Sequence, residues 1–326
     1  MNGKSEMMGR FDCDEIGELT EYVGCKVDYD KEKGTVHLTQ PVLLQSFKDE
    51  FEITEETAPR TPAIPGDVLK SGEKENLITT KNQTHFRSGT GKLLHLTKWS
   101  RPEIANSVRE LSKQMAGATM AHVKAMYRCM AYCVGRPDRG LWLEPNQRWD
   151  GNNDFEFVIG GASDSDFSKD ETRKSVSGWV TTLCGAVISS KSKMQTTIAL
   201  SVTEAELKAL ISLVQDMLYE MHVIESLGLR VEKPMKPKVD NKGCFDLCHN
   251  WSVGGRTRHM DCGLNFLREL KEQGILWVVW GPGEDNETDL FTKNLGGPTF
   301  DKHTEFYCGP DARNSLRESV RVRDTG

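Results

Sequence analysis

The second half of the chain predicts an α/β fold, on hydrophobic alternation, helical periodicity and their order. Phe155, Phe157 and Ile159 alternate along one strand, and Ser175 to Ser190 makes two more about a Leu183-Cys184-Gly185-Ala186 turn. Leu210, Leu213, Val214, Met217 and Met221 then recur at helical spacing. Continued to the end of the unit, the order is β-β-β-α-β-α-β-helix, opening with an antiparallel meander. Asp164, Glu206, Asp240 and Asp289 each fall where a strand ends or a helix begins.

Residues 11–57 read as a hairpin followed by a helix. Tyr22 to Asp28 is strand-like, Lys31-Glu32-Lys33-Gly34 is a turn, and Thr35 to Thr39 returns. Leu43, Leu44, Phe47 and Phe51 follow at helical spacing. Pro59, Pro62 and Pro65, then the polar run Lys70 to Gln83, disfavour regular structure and make 58–84 a linker. From His85 to Pro145 the pattern turns helical. Pro102 and Glu103 open a helix with Ile104, Val108, Leu111 and Met115 on one stripe, and Val123, Met126, Met130 and Cys133 form the next. Two antiparallel helices with no catalytic constellation read as a connecting subdomain.

In the last unit, which begins near Asp154, the first strand ends at Asp164. Ser201 and Thr203 cap the long helix, because Thr203 followed by Glu206 has the capping-box spacing. Glu206 lies on that helix's inward stripe. Lys238-Val239-Asp240, after two prolines, is a short strand ending in an acid. A helix runs through Leu264 and Leu267 to Gly274, Ile275 to Trp280 is a final strand, and Asp289 opens the closing helix.

With 326 residues the chain has room for two domains, and 37% hydrophobic with 28% charged residues suffices for ordinary cores. A net charge of −6 argues against a nonspecific nucleic-acid coat but allows a local basic surface. Nine cysteines lack disulfide-framework spacing, and no leader or long apolar run is present, so a reducing intracellular setting without a membrane is expected. Cys129/Cys133 and Cys244/Cys248 have i, i+4 spacing, yet only His249 is near to complete a zinc site, so they read as small buried hydrophobes. Gly89-Thr90-Gly91-Lys92 fails as a phosphate loop, since Phe86 and Leu93 stand where Gly and Ser/Thr are required.

A carboxylate on the apolar side of a helix start, as Glu206 is, is costly unless a cation or donor faces it. With Asp164, Asp240 and Asp289 at neighbouring element ends, the pattern points to metal-dependent phosphotransfer. Such chemistry uses two hard cations roughly 3.5–4 Å apart held by converging carboxylates. Glu204 reads as a first-turn acid favoured by the helix dipole.

Gly161-Ala-Ser-Asp-Ser-Asp166, Arg173-Lys-Ser-Val-Ser-Gly178, Leu200-Ser-Val-Thr-Glu-Ala-Glu206, Asp240-Asn241-Lys242, Arg256-Thr-Arg-His259 and Asp289-Leu-Phe-Thr-Lys293 together resemble the ribonuclease H domain of copia-type LTR retrotransposon Pol polyproteins. Upstream, Asp14-Glu-Ile-Gly-Glu-Leu19 with Tyr22-Val-Gly24, and Leu96-Thr-Lys-Trp-Ser-Arg-Pro-Glu-Ile-Ala105, resemble the end of the same polyprotein's reverse transcriptase and its connecting helices. The resemblance spans roughly residues 11–309. It implies a ribonuclease H-like mixed five-stranded sheet flanked by helices, preceded by a truncated reverse transcriptase end and a helical connection. The implied division is 1–57 reverse transcriptase end, 58–84 linker, 85–150 helical connection, 151–297 ribonuclease H domain and 298–326 tail.

By the same resemblance the metal-binding and catalytic acids are Asp164, Glu206, Asp240 and Asp289, holding two Mg2+ ions, with Mn2+ as the alternative. The implied reaction is endonucleolytic cleavage of the RNA strand of an RNA·DNA hybrid during reverse transcription, leaving 5′ phosphates. The implied partners are that hybrid and the remainder of the Pol polyprotein, in a cytoplasmic particle or the nucleus. Arg173, Asn241, Arg256 and Arg258 are the leading candidates for backbone and 2′-hydroxyl contacts. Lys174, Lys191 and Lys193 are further candidates, and His259 is expected to order its loop. Phe167, Thr288 and Asn265 depart from the family's Trp, Ala and His without removing a metal ligand, and Gly281 to Glu287 contains no histidine. No Tyr-x-Asp-Asp motif is present. The expectation is therefore a chain without polymerase activity: a working ribonuclease H, a silent relic that still binds nucleic acid, or a piece active only within a complete reverse transcriptase. Residues 1–57 are expected to leave apolar surface exposed and to fold poorly, and the tail beyond Gly309 to lack order.

Overall fold

The computed structural model describes residues 9, 17–56, 58–152, 154–168, 170–250, 261–283 and 286–309. Strands β1 (Glu21–Tyr22), β2 (Cys25–Asp30) and β3 (Thr35–Thr39) pair in antiparallel sequence. Helix α1 (Pro41–Phe51) follows at once, with proline in the first turn, where a missing N–H leaves no bond unmade. It buries Leu44, Phe47 and Phe51. Helices α2 (Thr80–Trp99), α3 (Ala105–Ser112) and α4 (Met120–Val134) come next, and β4 (Leu141–Leu143) then returns to pair with β3, Val36 opposite Leu143.

Three α-helices therefore stand where the periodicity showed two, and the first begins inside the polar stretch up to Gln83. The Thr79 hydroxyl caps α2 by accepting from the Asn82 N–H. The buried face of α2 includes Gly89 and Thr90 as well as Phe86, Leu93 and Leu96, which blurs its hydrophobic stripe. A Cβ at Gly89 would lie 2.5 Å from Met126 Sδ, so glycine is what allows α2 and α4 to approach. Gly89-Thr90-Gly91-Lys92 is accordingly helix interior.

The second half holds β5 (Glu156–Phe157), β6 (Ile159–Asp166), β7 (Val176–Leu183), β8 (Ala186–Met194), α5 (Val202–Ser226), β9 (Arg230–Val231), β10 (Lys236–Val239), α6 (Lys242–His249), α7 (Asp261–Glu272) and β11 (Val279–Trp280). A 3-10 turn (Glu287–Phe291) and helix α8 (Gly297–Cys308) close the described chain. The main sheet has five strands in the order β11-β10-β6-β7-β8. β10 runs parallel to β6 and β11, whereas β7 is antiparallel to both its neighbours, so the sheet is mixed. With helices packed against it, this is the mixed five-stranded sheet that was expected. The β7–β8 turn is the expected one, with Cys184 and Gly185 at φ 48° and 85°, the twist that a two-residue hairpin loop favours.

Helix α5 buries Leu207, Leu210, Leu213 and Met217 against Ile159 and Trp179. Burying each such side chain stabilises the fold by roughly 1.5–3 kcal/mol. The opposite face of the sheet, with Ala162, Val180 and Val187, joins a core that also contains Phe47, Phe86, Leu96, Met126 and Tyr132 from the first half and Phe291, Phe300 and Tyr307 from the end. This core crosses positions 57, 84 and 150, whereas the core under α5 lies wholly beyond 150. Helix α8 occupies the start of the stretch read as a tail, and Phe300 and Tyr307 are buried. The final strand is shorter than expected: only Val279–Trp280 pairs as a strand, and Leu276 makes a single bridge to Met235. Among the described residues no helix is long and apolar enough to cross a membrane. The tail beyond Gly309 lies outside the described residues.

Candidate metal centre

Asp164 stands near the C-terminal end of β6, and Asp240 directly follows β10, its parallel neighbour, where Val239 pairs with Ser163. Two acids thus leave the same end of the sheet on adjacent strands, roughly 5 Å apart by strand spacing. Glu206 reaches them from the start of α5. Of the two expected capping residues Ser201 is the cap, and the Thr203/Glu206 box is not formed: Ser201 accepts from the Glu204 N–H at 3.1 Å, and Glu204 turns back to the Leu200 N–H at 2.7 Å and pairs with Lys208 at 2.8 Å. The sequence offers the capping spacing twice, and the Ser201/Glu204 pair takes it because Ser201 has the extended backbone of an N-cap. Glu206 is left one step further in, on the buried face.

Carboxylate oxygens of Asp164, Glu206 and Asp240 all lie within 4.8 Å of one another. One Glu206 oxygen accepts from the Ser165 N–H at 3.3 Å, while Oε2 is buried without a partner. Burial, and then the charges of Asp164 and Asp240, push the Glu206 carboxyl up to about 9. Burial and Asp164 also raise Asp240. The Asn286 amide donates to Asp240 Oδ2 at 3.2 Å, and the Thr292 hydroxyl donates to Asp164 Oδ2.

Asp289 does not open the closing helix. It sits in the 3-10 turn, which Asn286 caps by accepting from Thr288, and α8 begins later at Gly297. Its carboxylate accepts from Lys293 Nζ at 2.7 Å, and the same ammonium is 3.3 Å from Asp164 Oδ2. Burial and Asp164 raise Asp289 to about 6 against the lowering effect of Lys293, whose own ammonium the two acids hold well above its usual range. The structure therefore converges three of the four acids directly and joins the fourth through Lys293. Hard oxygen donors, mutual repulsion and an orphaned buried oxygen fit a divalent cation.

Thr292 and Lys293 stand in the Asp289–Lys293 motif but are given no role by sequence, and Asn286 is not singled out. Beyond that motif, the signals are the i, i+4 spacing of Asp289 and Lys293 and the Asn286-x-Thr288 turn pattern. Among the proposed nucleic-acid contacts, Arg173 is exposed on the loop after β6 with φ 60°. Lys191 and Lys193 are exposed on β8, and Lys174 is half-buried. Asn241 caps α6, its side chain accepting from the Cys244 N–H at 2.8 Å, a structural task beside Asp240. Arg256, Arg258 and His259 lie outside the described residues. Cys129, Cys133, Cys244 and Cys248 are buried among apolar side chains. The ring of His249 is engaged with the Val278 carbonyl and with Lys271.

No protein-family model matches the chain. It is 26% identical over 296 residues to the retrovirus-related Pol polyprotein from transposon TNT 1-94 of Nicotiana tabacum, covering 89% of this chain and 21% of that protein. To the corresponding polyprotein from transposon RE1 of Arabidopsis thaliana it is 27% identical over 302 residues, covering 92% of this chain and 20% of the relative. Among solved structures, LC11-RNase H1 in complex with RNA/DNA hybrid aligns with 41% of this chain and 93% of its own, at 17% identity and a TM-score of 0.33. The chain spans about a fifth of the length of these two polyproteins, 21% and 20%. Over most of its length it is similar to retrovirus-related Pol polyproteins from plant transposons.

Proposed function

We propose that this chain is a divalent-cation-dependent ribonuclease H that cuts the RNA strand of RNA·DNA hybrids as part of a retrotransposon Pol polyprotein. The observation that carries the reading is the cluster of buried Asp164 and Glu206 with half-buried Asp240, and its unpartnered Glu206 Oε2. Asp164, Glu206, Asp240 and Asp289 are the residues that would hold Mg2+, or Mn2+ in its place. Bound there, two such ions supply the charge that activates water and stabilises the departing 3′ oxygen. The Ser165 N–H, the Asn286 amide and the Thr292 hydroxyl fix the orientation of the carboxylates. Lys293 keeps Asp164 and Asp289 partnered when no cation is present. Arg173, Lys174, Asn241, Lys193, Arg256 and Arg258 would contact backbone and 2′-hydroxyls, as a nuclease indifferent to sequence requires.

The test is cleavage of a labelled RNA·DNA hybrid by the full chain with Mg2+. Cleavage that stops with EDTA, and in Asp164→Asn and Asp240→Asn, supports the reading. A folded chain that binds hybrid without cutting it overturns it in favour of a silent relic. Cleavage only after the rest of Pol is added would make the chain one part of a composite enzyme.

A further inference from the structure

A groove of about 580 Å³ runs between the C-terminal turn of α2, the start of α3 and the edge strand β8. Lys98, Arg109 and Lys191 line it with Ser189, Ser190 and Ser192, and no carboxylate does among the described residues. That is unusual in a chain of net charge −6. Lys98 and Lys191 are exposed, and neither has a carboxylate partner among the described residues. Lys98 Nζ lies 5.0 Å over the Trp99 ring, which holds its charge at the rim. The Arg109 side chain is only 10% exposed and pairs with Glu110 at 2.7 Å, yet its Nη1 has no hydrogen-bond partner.

The floor of the groove is tied to the carboxylates. Arg109 Nε donates to Ser192 Oγ at 3.0 Å, and Ser192 Oγ donates to the Phe291 carbonyl at 2.5 Å. The next residue, Thr292, is the one whose hydroxyl holds Asp164. Ser192, Gly178 and Asp164 also pair in one row across β8, β7 and β6, so they share a face of the sheet. Asp164 is thus roughly 10 Å, two strand spacings, from the groove.

We propose that this groove is a second binding site, for the sugar–phosphate backbone of a nucleic-acid strand, built jointly by the helical connection and the edge of the sheet. Serine hydroxyls and unpaired ammonium groups satisfy phosphate oxygens without reading bases. Its distance from Asp164 suits a strand that is gripped beside the point of cutting. The inference rests on the nuclease reading for the identity of the polyanion, but not for the affinity of the groove.

The experiment is fluorescence-anisotropy binding of a labelled hybrid to the full chain in EDTA, across a salt series, with cleavage in Mg2+ measured in parallel. Lys98→Glu combined with Lys191→Glu should weaken binding roughly tenfold or more, equally for unrelated sequences, and reduce the slope of log affinity against log salt by about 2. Lys74→Glu with Lys81→Glu, which makes the same change in net charge elsewhere, should leave affinity within about twofold. Unchanged affinity and slope in the groove variant, or an equal loss in the control pair, overturns the proposal. A wild type that binds but never cuts, while the groove variant loses binding, would keep the groove and sink the nuclease.

Discussion

Glu206 is the residue whose protonation governs the ion-free site. Its carboxyl sits at about 9, against a usual 4.5, because it is buried beside Asp164 and Asp240. Below the lower value, folded and unfolded chains both carry the proton. Between the two values the unfolded chain releases it and the folded chain keeps it, so stability falls as pH rises through this window. In EDTA at about pH 8, Glu206→Gln should stabilise the protein by roughly 2–4 kcal/mol, and at about pH 4 the advantage should vanish, as thermal unfolding would read. Equal melting temperatures at the higher pH would count against the buried, repelled carboxyl. A bound cation reverses the preference, so Mg2+ or Mn2+ uptake near pH 7 should expel about one proton, measurable by calorimetry in buffers of different ionisation enthalpy. Lys293→Met leaves Asp164 and Asp289 facing each other; the ion-free protein should lose about 1–2 kcal/mol near pH 8, and added Mg2+ should restore it. At this scale the acids were legible because a charge on an apolar helix stripe is anomalous. Lys293 was not, because a lysine four residues after an aspartate is ordinary on any helix surface.

Among the elements, the 3-10 turn depends on a residue of the sheet. Gly178 pairs with Asp164, and a Cβ there would lie 2.7 Å from Phe291 Cβ and 2.8 Å from Thr292 Cγ2. Gly178→Ala should therefore push the turn off β7 and carry Thr292, Lys293 and Asp289 with it. The expected outcome is a loss of roughly 1–3 kcal/mol and a cation affinity weaker by about 10–100-fold. Retained affinity by calorimetric titration would show that the turn does not position the acids. The meander and α5 were legible from periodicity because each buries a regular apolar face. Helix α2 was only partly so, since glycine and threonine occupy positions on its buried side. Strand β4 was missed because Leu141–Leu143 is too short for a pattern and finds its partner in β3, far upstream. At the start of α5 the Ser201 cap is legible, but the partner glutamate is not, because two overlapping pairs match one spacing and only backbone conformation separates them.

Across the whole molecule, one core unites α1, the connecting helices, one face of the five-stranded sheet and α8. The expectation that residues 1–57 leave apolar surface exposed holds for Tyr22 and Tyr29, but not for Leu44, Phe47 and Phe51, which are buried. Residues 151–309 alone would expose Val180, Phe291, Phe300 and Tyr307 to water. That fragment should melt without a cooperative transition, whereas the full chain should unfold in one step by circular dichroism. A sharp transition in the fragment would show that the sheet and α5 suffice. The fully buried Arg101–Glu103 ion pair lies at the centre of this core, and its last neighbour is Cys308, whose thiol meets Glu103 Oε2 at 3.4 Å. These two residues are 205 positions apart in the chain. A ribosome adding about 5–20 residues per second needs roughly 10–40 s to cover that distance. Until α8 has been made the Arg101–Glu103 pair lacks its Cys308 neighbour, so the core around that pair can close only when the described chain is nearly all synthesised.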